Sequence, residues 1–376
     1  MTTKRIHILT HPLGANYGGI MQAYALQQAL RQMDYEPVTL DIPFDRRSRL
    51  RRWAEAQVRT VKRISYDQSI RSERVVLQHT SRFVQQHITL SPPLRSDAQL
   101  RQYYREQPAH AYIVGSDQVW RQEFVPMLDD YFLGFIPEAD PVRRIAYAAS
   151  FGVDPIDIAP ERTALCSELL SRFVAISVRE SSAVPLLAQR FGATAQWVLD
   201  PTMLFTREEY MDQLGLREEP SGEGEEPSGE VFAYMLTYTP HKEELARQIA
   251  ESHHTTCQIF APWRHWTERG RGLEACILPP VETWLEGILN AQCVVTDSFH
   301  GVAFSLIFGK PFVAIVNNHG GCSRFDTLIK LFDLEHHQEG AYELVSSPKR
   351  YDVEAIAQTL THHRITSIDF LESALS

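Results

Sequence analysis

Apolar runs of strand length alternate with longer segments of helical spacing over most of this chain, and that alternation limits the folds open to it. KRIHIL, PVTLDI, AYIVGS, RRIAYAA, FVAISV and QWVLD read as buried strands within the first 200 residues. Between them, residues 20–33 and 181–191 space their apolar positions as helices do. After residue 230 the pattern resumes with VFAYMLTY, CQIFAP, CILPP, QCVVTD and KPFVAIV. Strand, helix and strand in succession close as a βαβ unit, which gives mostly parallel sheets joined by right-handed crossovers. The expectation is an α/β protein with two doubly wound, Rossmann-like domains.

A chain of 376 residues is long enough for two such cores. Residues 217–230, REEPSGEGEEPSGE, nearly repeat EEPSGE and hold nothing that can build a core, so they read as a solvated loop. The expected layout is an N-terminal domain over 1–210, a flexible acidic linker over 211–230, a C-terminal domain over 231–350 and a helical segment over 351–376. Ligands of open α/β sheets bind beyond the carboxyl ends of the strands, so the cleft between two such domains is the expected active site.

Composition excludes several classes. No apolar run approaches the ~18 residues that span a bilayer. The opening MTTKRIHILTH lacks the long apolar stretch and small-residue cleavage site of a secretory leader, so a cytoplasmic protein is expected. Five cysteines, widely spaced and without a C-x-x-C pair, argue against a disulfide framework or structural zinc. The adjacent pairs His253/His254, His336/His337 and His362/His363 cannot share one face of a helix or strand, and no metal is expected. A net charge of −10 excludes a generally basic nucleic-acid binder.

Four strand-to-helix junctions carry residues with chemical potential. In the first, Asn16, Tyr17, Gly18 and Gly19 open a helix, and the glycines let backbone approach a ligand at free N–H groups, or merely make a tight turn. The second, VGSDQVW, sets Ser116, Asp117, Gln118 and Trp120 at a strand end. Carboxylate, amide and indole together suit a sugar, although helix capping and a core tryptophan explain the same residues. The third, AISVRE, ends a strand on Arg179, whose fork can hold a carboxylate or phosphate in two places, or pair with Glu180. Asp200, in VLDPTML, reads as a turn residue. The fourth, VVTDSFHG, places Asp297 or Ser298 at a helix N-cap and His300 in the first turn, where it suits proton exchange during a reaction on an anion. Arg324 follows a second glycine-rich stretch, NHGGCSRF, and with Arg179 and His300 would make a cationic pocket in an acidic protein.

Taken together and in order, NYGGIMQAYALQ, VGSDQVW, ISVRE, LDPTML and TDSFHGVAFSLIFGKPFV resemble the polysaccharide pyruvyl transferase family over roughly residues 5–335. The resemblance implies a fold similar to the two-domain GT-B glycosyltransferases, with the acceptor on the N-terminal side and the donor on the C-terminal side. It implies transfer of the pyruvate unit of phosphoenolpyruvate onto two sugar hydroxyls as a cyclic ketal, with release of phosphate and no cofactor. Arg179 and His300 match family residues that grip phosphoenolpyruvate; Ser298 stands where some members carry arginine, and Arg324 is the expected replacement. Arg121 follows the VGSDQVW block where relatives often have asparagine. His300, Asp117 and Asp297 are the expected acid–base groups, and Asn16, Tyr17, Gly18, Gly19, Ser116, Asp117, Gln118 and Trp120 the expected acceptor wall.

Two alternatives stand beside this expectation. One is a GT-B glycosyltransferase using a nucleotide sugar, disfavoured because no C-terminal glutamate motif for a ribose is evident. The other is an inactive sugar-binding relative. The acceptor is expected to be a sugar, lipid-linked, nucleotide-linked or polymeric. Residues 46–75 hold ten Lys or Arg against three Asp or Glu, and 50–64 form an amphipathic helical pattern. Such a helix either packs on its own domain or rests peripherally on anionic lipid at the inner face of the cytoplasmic membrane.

Overall fold

A computed structural model describes residues 4–43, 73–125, 127–152, 156, 158–218, 229–261, 273–317, 323–339, 342–347 and 352–376. Residues 44–72, which take in most of the basic stretch 46–75 and all of the expected helix 50–64, and residues 219–228 of the acidic loop lie outside the described residues. The chain divides into one unit of Met1–Val198 with Phe370–Ser376, and a second of Leu199–Asp369.

The first unit is built on β1 (Arg5–Leu9), β2 (Glu36–Thr39), β3 (Ala111–Val114), β4 (Arg143–Ala149), β5 (Ala175–Val178) and β6 (Gln196–Trp197). They lie in the order β2-β1-β3-β4-β5-β6, all parallel. Strand β3 is buried along its whole length, as a strand covered on both faces must be. The helix Tyr17–Gln32 buries nearly every side it has, Tyr17, Gly18 and Gly19 included. Because β2 lies on one side of β1 and β3 on the other, the winding reverses between β1 and β3, and ligands of such sheets enter at that reversal.

The second unit holds β7 (Val231–Tyr234), β8 (Cys257–Phe260), β9 (Cys293–Thr296), β10 (Phe312–Asn317), β11 (Glu335–Glu339) and β12 (Tyr342–Ser346). Their order is β11-β12-β10-β9-β7-β8, with the reversal between β7 and β9. Strand β12 runs antiparallel to both β10 and β11. The helix Phe299–Ile307 is buried at every position.

Three features differ from the sequence expectation. CILPP forms no strand, since Pro279 and Pro280 have no N–H to give a ladder. The hairpin β11–β12 has no counterpart among the expected strands because EHHQE, an edge strand paired on one side, has no apolar alternation. The division falls at Val198–Leu199 rather than within 211–230. Residues 199–214 pack with the second unit: Tyr210 meets Phe304 and Phe308 edge-on, and Arg364 donates to the carbonyls of Met203 and Phe205. Among the described residues, no helix is long and apolar enough to cross a membrane.

One core residue makes the first unit acid-sensitive. His7 lies in the middle of β1, fully buried between the rings of Tyr103 and Tyr112, with neither ring nitrogen hydrogen-bonded. Burial, then the nearby Arg5 charge, pushes its imidazole down to about 4. Below the unfolded value near 6.5 the unfolded chain gains a proton that the native state refuses. Stability is therefore intact above that pH and falls as pH drops towards 4, by up to about 3 kcal/mol at the lower end. Urea unfolding at a series of pH values should show this slope, and His7→Leu should flatten it.

Candidate functional site

In the first unit, the chain brings chemistry to the carboxyl ends of four neighbouring strands. His11 follows β1, Asp117 follows β3, Ser150 follows β4 and Arg179 follows β5. The end of β3 must turn hard to deliver Asp117. Gly115 adopts a φ of 118°, where an added Cβ would lie 2.1 Å from the Tyr147 carbonyl oxygen, so only glycine fits. Asp117 itself has a φ of 71°, a conformation that a non-glycine residue holds only when its surroundings enforce it.

A buried network supplies that enforcement. The Gln22 side-chain amide donates to Thr10 Oγ1 at 2.9 Å and accepts from the Ser116 amide at 3.0 Å, while Thr10 Oγ1 donates to the Ser116 carbonyl at 3.0 Å. Ser116 Oγ donates to the Ala148 carbonyl at 2.9 Å. Asp117 Oδ1 accepts from the Gln118 amide at 2.8 Å, and its Oδ2 accepts from Asn16 Nδ2 at 3.3 Å and lies 3.8 Å from His11 Nδ1. Arg179, 4 % exposed, reaches Glu180 Oε1 through Nε and Ser150 Oγ through Nη2, both at 3.3 Å, and Ser150 Oγ donates to the same Glu180 oxygen at 2.6 Å. The pairing with Glu180 is thus present, and it holds the guanidinium at the strand end.

Several expected acceptor residues are otherwise occupied. Trp120 is fully buried, stacks on Phe132 at 5.1 Å between centroids and donates from Nε1 to the Tyr131 carbonyl at 2.9 Å. Its ring belongs to the core and presents no face to a sugar. The Tyr17 ring is likewise fully buried, and Ser116 is spent on the strand ends. Asn16 is exposed and Gln118 half-buried, and these two remain as polar groups at the rim.

In the second unit, the loop after β9 carries Asp297, Ser298 and His300. Ser298 is the N-cap, its Oγ accepting from the Gly301 amide at 3.4 Å. Gly301 is needed because a Cβ there would come 2.4 Å from Thr296 Oγ1, the acceptor of the Ser298 amide. Asp297, expected as an acid–base group, is held by two backbone amides and a lysine. Its Oδ1 accepts from the Leu236 amide at 2.6 Å, and its Oδ2 from the Thr237 amide at 3.0 Å and from the buried Lys242 Nζ at 2.6 Å. Those bonds close the reversal between β7 and β9 and leave the carboxylate fully engaged. His300, 5 % exposed, points Nε2 at Asp200 Oδ2, 3.6 Å away. Asp200 is therefore more than a turn residue: its Oδ1 caps Thr202 N and Oγ1, and its other oxygen faces the histidine. Arg324 lies in the helix Ser323–Phe332, and its side chain is outside the described residues. Among the described residues, no group of three or more His, Cys, Asp or Glu side chains is placed to hold a metal ion.

Sequence reasoning missed His11 and the second role of Asp200. Neither belongs to a recognisable local pattern; each becomes visible only when the sheet order sets strand ends side by side. With Nε2 turned to Asp200, the other nitrogen of His300 is the one left for a ligand. Asp200→Asn keeps an oxygen for Thr202 but removes the charge facing the ring. It should leave the melting temperature nearly unchanged and, if the ring acts on the substrate, lower turnover about 10²-fold, as a misplaced group does.

Several solved structures are similar to this chain in fold. A candidate UDP-N-acetylglucosamine 2-epimerase from Listeria monocytogenes is similar, with a TM-score of 0.51, 11 % identity, and coverage of 100 % of this chain and 92 % of that one. A glycosyltransferase from Rickettsia africae gives a TM-score of 0.46 at 9 % identity, covering 99 % of this chain and 94 % of that chain. SnogD, a glycosyltransferase from Streptomyces nogalater, gives 0.41 at 12 %, covering 100 % and 98 %. The likeness to the first is one of fold, GT-B-like and built on two Rossmann-like sheets. No curated protein sequence matches the chain. A family model described as polysaccharide pyruvyl transferase matches residues 16–319, a span that includes Asp117, Arg179, Asp200 and His300. On that match, this chain belongs to the polysaccharide pyruvyl transferase family.

Proposed function

We propose that the protein transfers the pyruvate unit of phosphoenolpyruvate to two hydroxyls of a sugar in a polysaccharide or glycan precursor, forming a cyclic ketal and releasing phosphate. One observation carries this reading. Arg179 and His300, the residues that family resemblance assigns to phosphoenolpyruvate, each sit buried where a parallel strand ends, Arg179 hydrogen-bonded to Glu180 and His300 with Nε2 3.6 Å from Asp200 Oδ2. A donor with both a carboxylate and a phosphate needs fixed cationic or hydrogen-bonding groups, and preorganised ones stabilise charge moving onto the leaving phosphate.

The chemistry balances without a redox step. One hydroxyl proton is replaced by the bond to the central carbon while the methylene carbon gains a proton and becomes methyl. The second hydroxyl then closes the ketal, the carbon–oxygen bond to phosphate breaks, and the electron pair leaves on phosphate. His300 is the proposed phosphate contact and acid. Arg324 is the proposed second arginine, in place of the one that Ser298 lacks, and Asn16 and Gln118 are the proposed readers of acceptor hydroxyls.

The test is phosphate release from phosphoenolpyruvate across a panel of free, nucleotide-linked and lipid-linked sugars, with mass spectrometry of the acceptor. A pyruvate ketal on any acceptor supports the proposal. Release of nucleotide from nucleotide sugars, with no phosphate released from phosphoenolpyruvate, replaces it with glycosyl transfer.

A further inference from the structure

We infer that Phe124 is the ring on which the acceptor sugar stacks, held in place by Arg121, with Gln118 reading a hydroxyl beside it. This rests on the pyruvyl-transfer reading and names what the protein grips at this point: the apolar face of an uncharged sugar ring. Burial of Trp120 leaves the end of β3 without the flat apolar surface that a sugar site uses. Phe124 follows in the same loop and supplies one. It is 40 % exposed, and among the described residues no other phenylalanine, tyrosine or tryptophan is exposed. A ring standing in water gains when an apolar surface covers it.

The ring does not sit on a loose tip. The Arg121 amide donates to the Gln118 carbonyl, and the Phe124 and Val125 amides both donate to the Arg121 carbonyl, each at 3.1 Å. Trp120 and Val125, both fully buried, pin the two ends of this turn. Between them, Gln122 Oε1 accepts from the Ala159 amide at 3.1 Å. A ring fixed before binding loses less conformational freedom when a ligand settles on it.

Arg121 ties that ring to the polar rim. Its Cζ lies 4.1 Å from the Phe124 ring centroid, while Nη1 donates to Gln118 Oε1 at 3.0 Å and Nη2 to Glu123 Oε2 at 2.6 Å. The guanidinium takes one face of the ring, and a ligand meets what is left exposed. Glu123 answers its charge, which favours a neutral sugar ring over a phosphate here. With Oε1 of Gln118 committed, Nε2 is the donor left for a hydroxyl, since it has no hydrogen-bond partner among the described residues.

The same carboxamide leads back to the anion-holding arginine. It lies against Gly152, where an added Cβ would come 2.1 Å from Gln118 Oε1. The Gly152 amide donates to Ser150 Oγ at 3.0 Å, and Ser150 Oγ is the oxygen that Arg179 Nη2 reaches. Ring, carboxamide and arginine therefore follow one another across the carboxyl ends of β3, β4 and β5, all within the first unit.

The experiment uses the full chain, phosphoenolpyruvate and the sugar of the phosphate-release panel that wild type turns over fastest. Phe124→Ala should raise KM for that sugar about tenfold and leave KM for phosphoenolpyruvate within about threefold of wild type. Phe124→Leu keeps apolar area but no flat face and should be nearly as poor. Phe124→Tyr should stay within about threefold of wild type, because the ring is kept. Phe124→Trp gives a reading independent of turnover: the sugar alone should shift its indole emission beyond the wild-type response. An alanine variant whose sugar KM stays within about threefold, a leucine variant equal to wild type, or a silent tryptophan overturns the inference alone. So does an equal rise in KM for both substrates. A wild type that releases no phosphate with any acceptor overturns the pyruvyl-transfer reading and this inference with it.

Discussion

Arg179→Ala is expected to lose at least about 10³-fold of phosphate release from phosphoenolpyruvate, because a preorganised charge in a water-poor site is worth several kcal/mol to developing negative charge. Arg179→Lys should recover little. The guanidinium reaches Glu180 and Ser150 by two different nitrogens and so has a fixed plane, which a lysine ammonium cannot copy. The alanine variant should also lose about 3 kcal/mol of stability, since Glu180 is then a buried charge without its cation. The Ser150 hydroxyl, still 2.6 Å from Glu180 Oε1, keeps that cost at the lower end of the usual range. Steady-state phosphate release and a thermal melt on the same preparation separate the two effects. An alanine variant within about tenfold of wild type would remove Arg179 from the donor site.

Lys242→Met should destabilise the second unit by about 3 kcal/mol, since removing one member of a buried pair strands the other charge. Lys242 is 1 % exposed and sits 2.6 Å from Asp297 Oδ2, with a further bond to the Thr237 carbonyl at 3.1 Å. The two backbone amides that also serve Asp297 keep the cost at the lower end of the usual range. Replacing both members, Lys242→Met with Asp297→Asn, should restore much of the stability, because no net charge is left buried. Urea denaturation of the two single variants and the double variant measures the coupling. If Lys242→Met alone unfolds within about 0.5 kcal/mol of wild type, the pair is not a structural latch.

The two-sheet plan is legible in the sequence because apolar runs of strand length are hard to place in any other way. Ten of the eleven expected runs are strands. The exception, CILPP, fails for want of backbone donors, and the unexpected hairpin β11–β12 is an edge whose polar residues carry no periodic signal. The site is legible to a lesser degree. Arg179 and His300 announce themselves as charged or titratable groups where an apolar strand gives out. Trp120 misleads, because an indole next to a strand end looks the same in sequence whether it faces a sugar or stacks on Phe132. The surroundings of Asp297 are not legible either: its partner Lys242 lies 55 residues upstream, and no local pattern predicts a buried ammonium at that position. Pairings of long sequence separation, such as His11 with Asp117 and Asp200 with His300, are properties of strand order and not of any segment.

The chain passes between the two units twice, at 198–199 and again at 369–370. The first unit is therefore discontinuous in sequence, completed by residues 370–376. Leu371 and Leu375 are buried in it, and the carbonyl of Leu375 accepts from the His110 ring at 2.7 Å. A protein truncated after residue 198 would lack these contacts and should express as an unstable fragment, whereas the same fragment with 370–376 fused back through a short linker should fold. Synthesis from the N-terminus also means that the first unit cannot complete its core until residues 370–376 have left the ribosome.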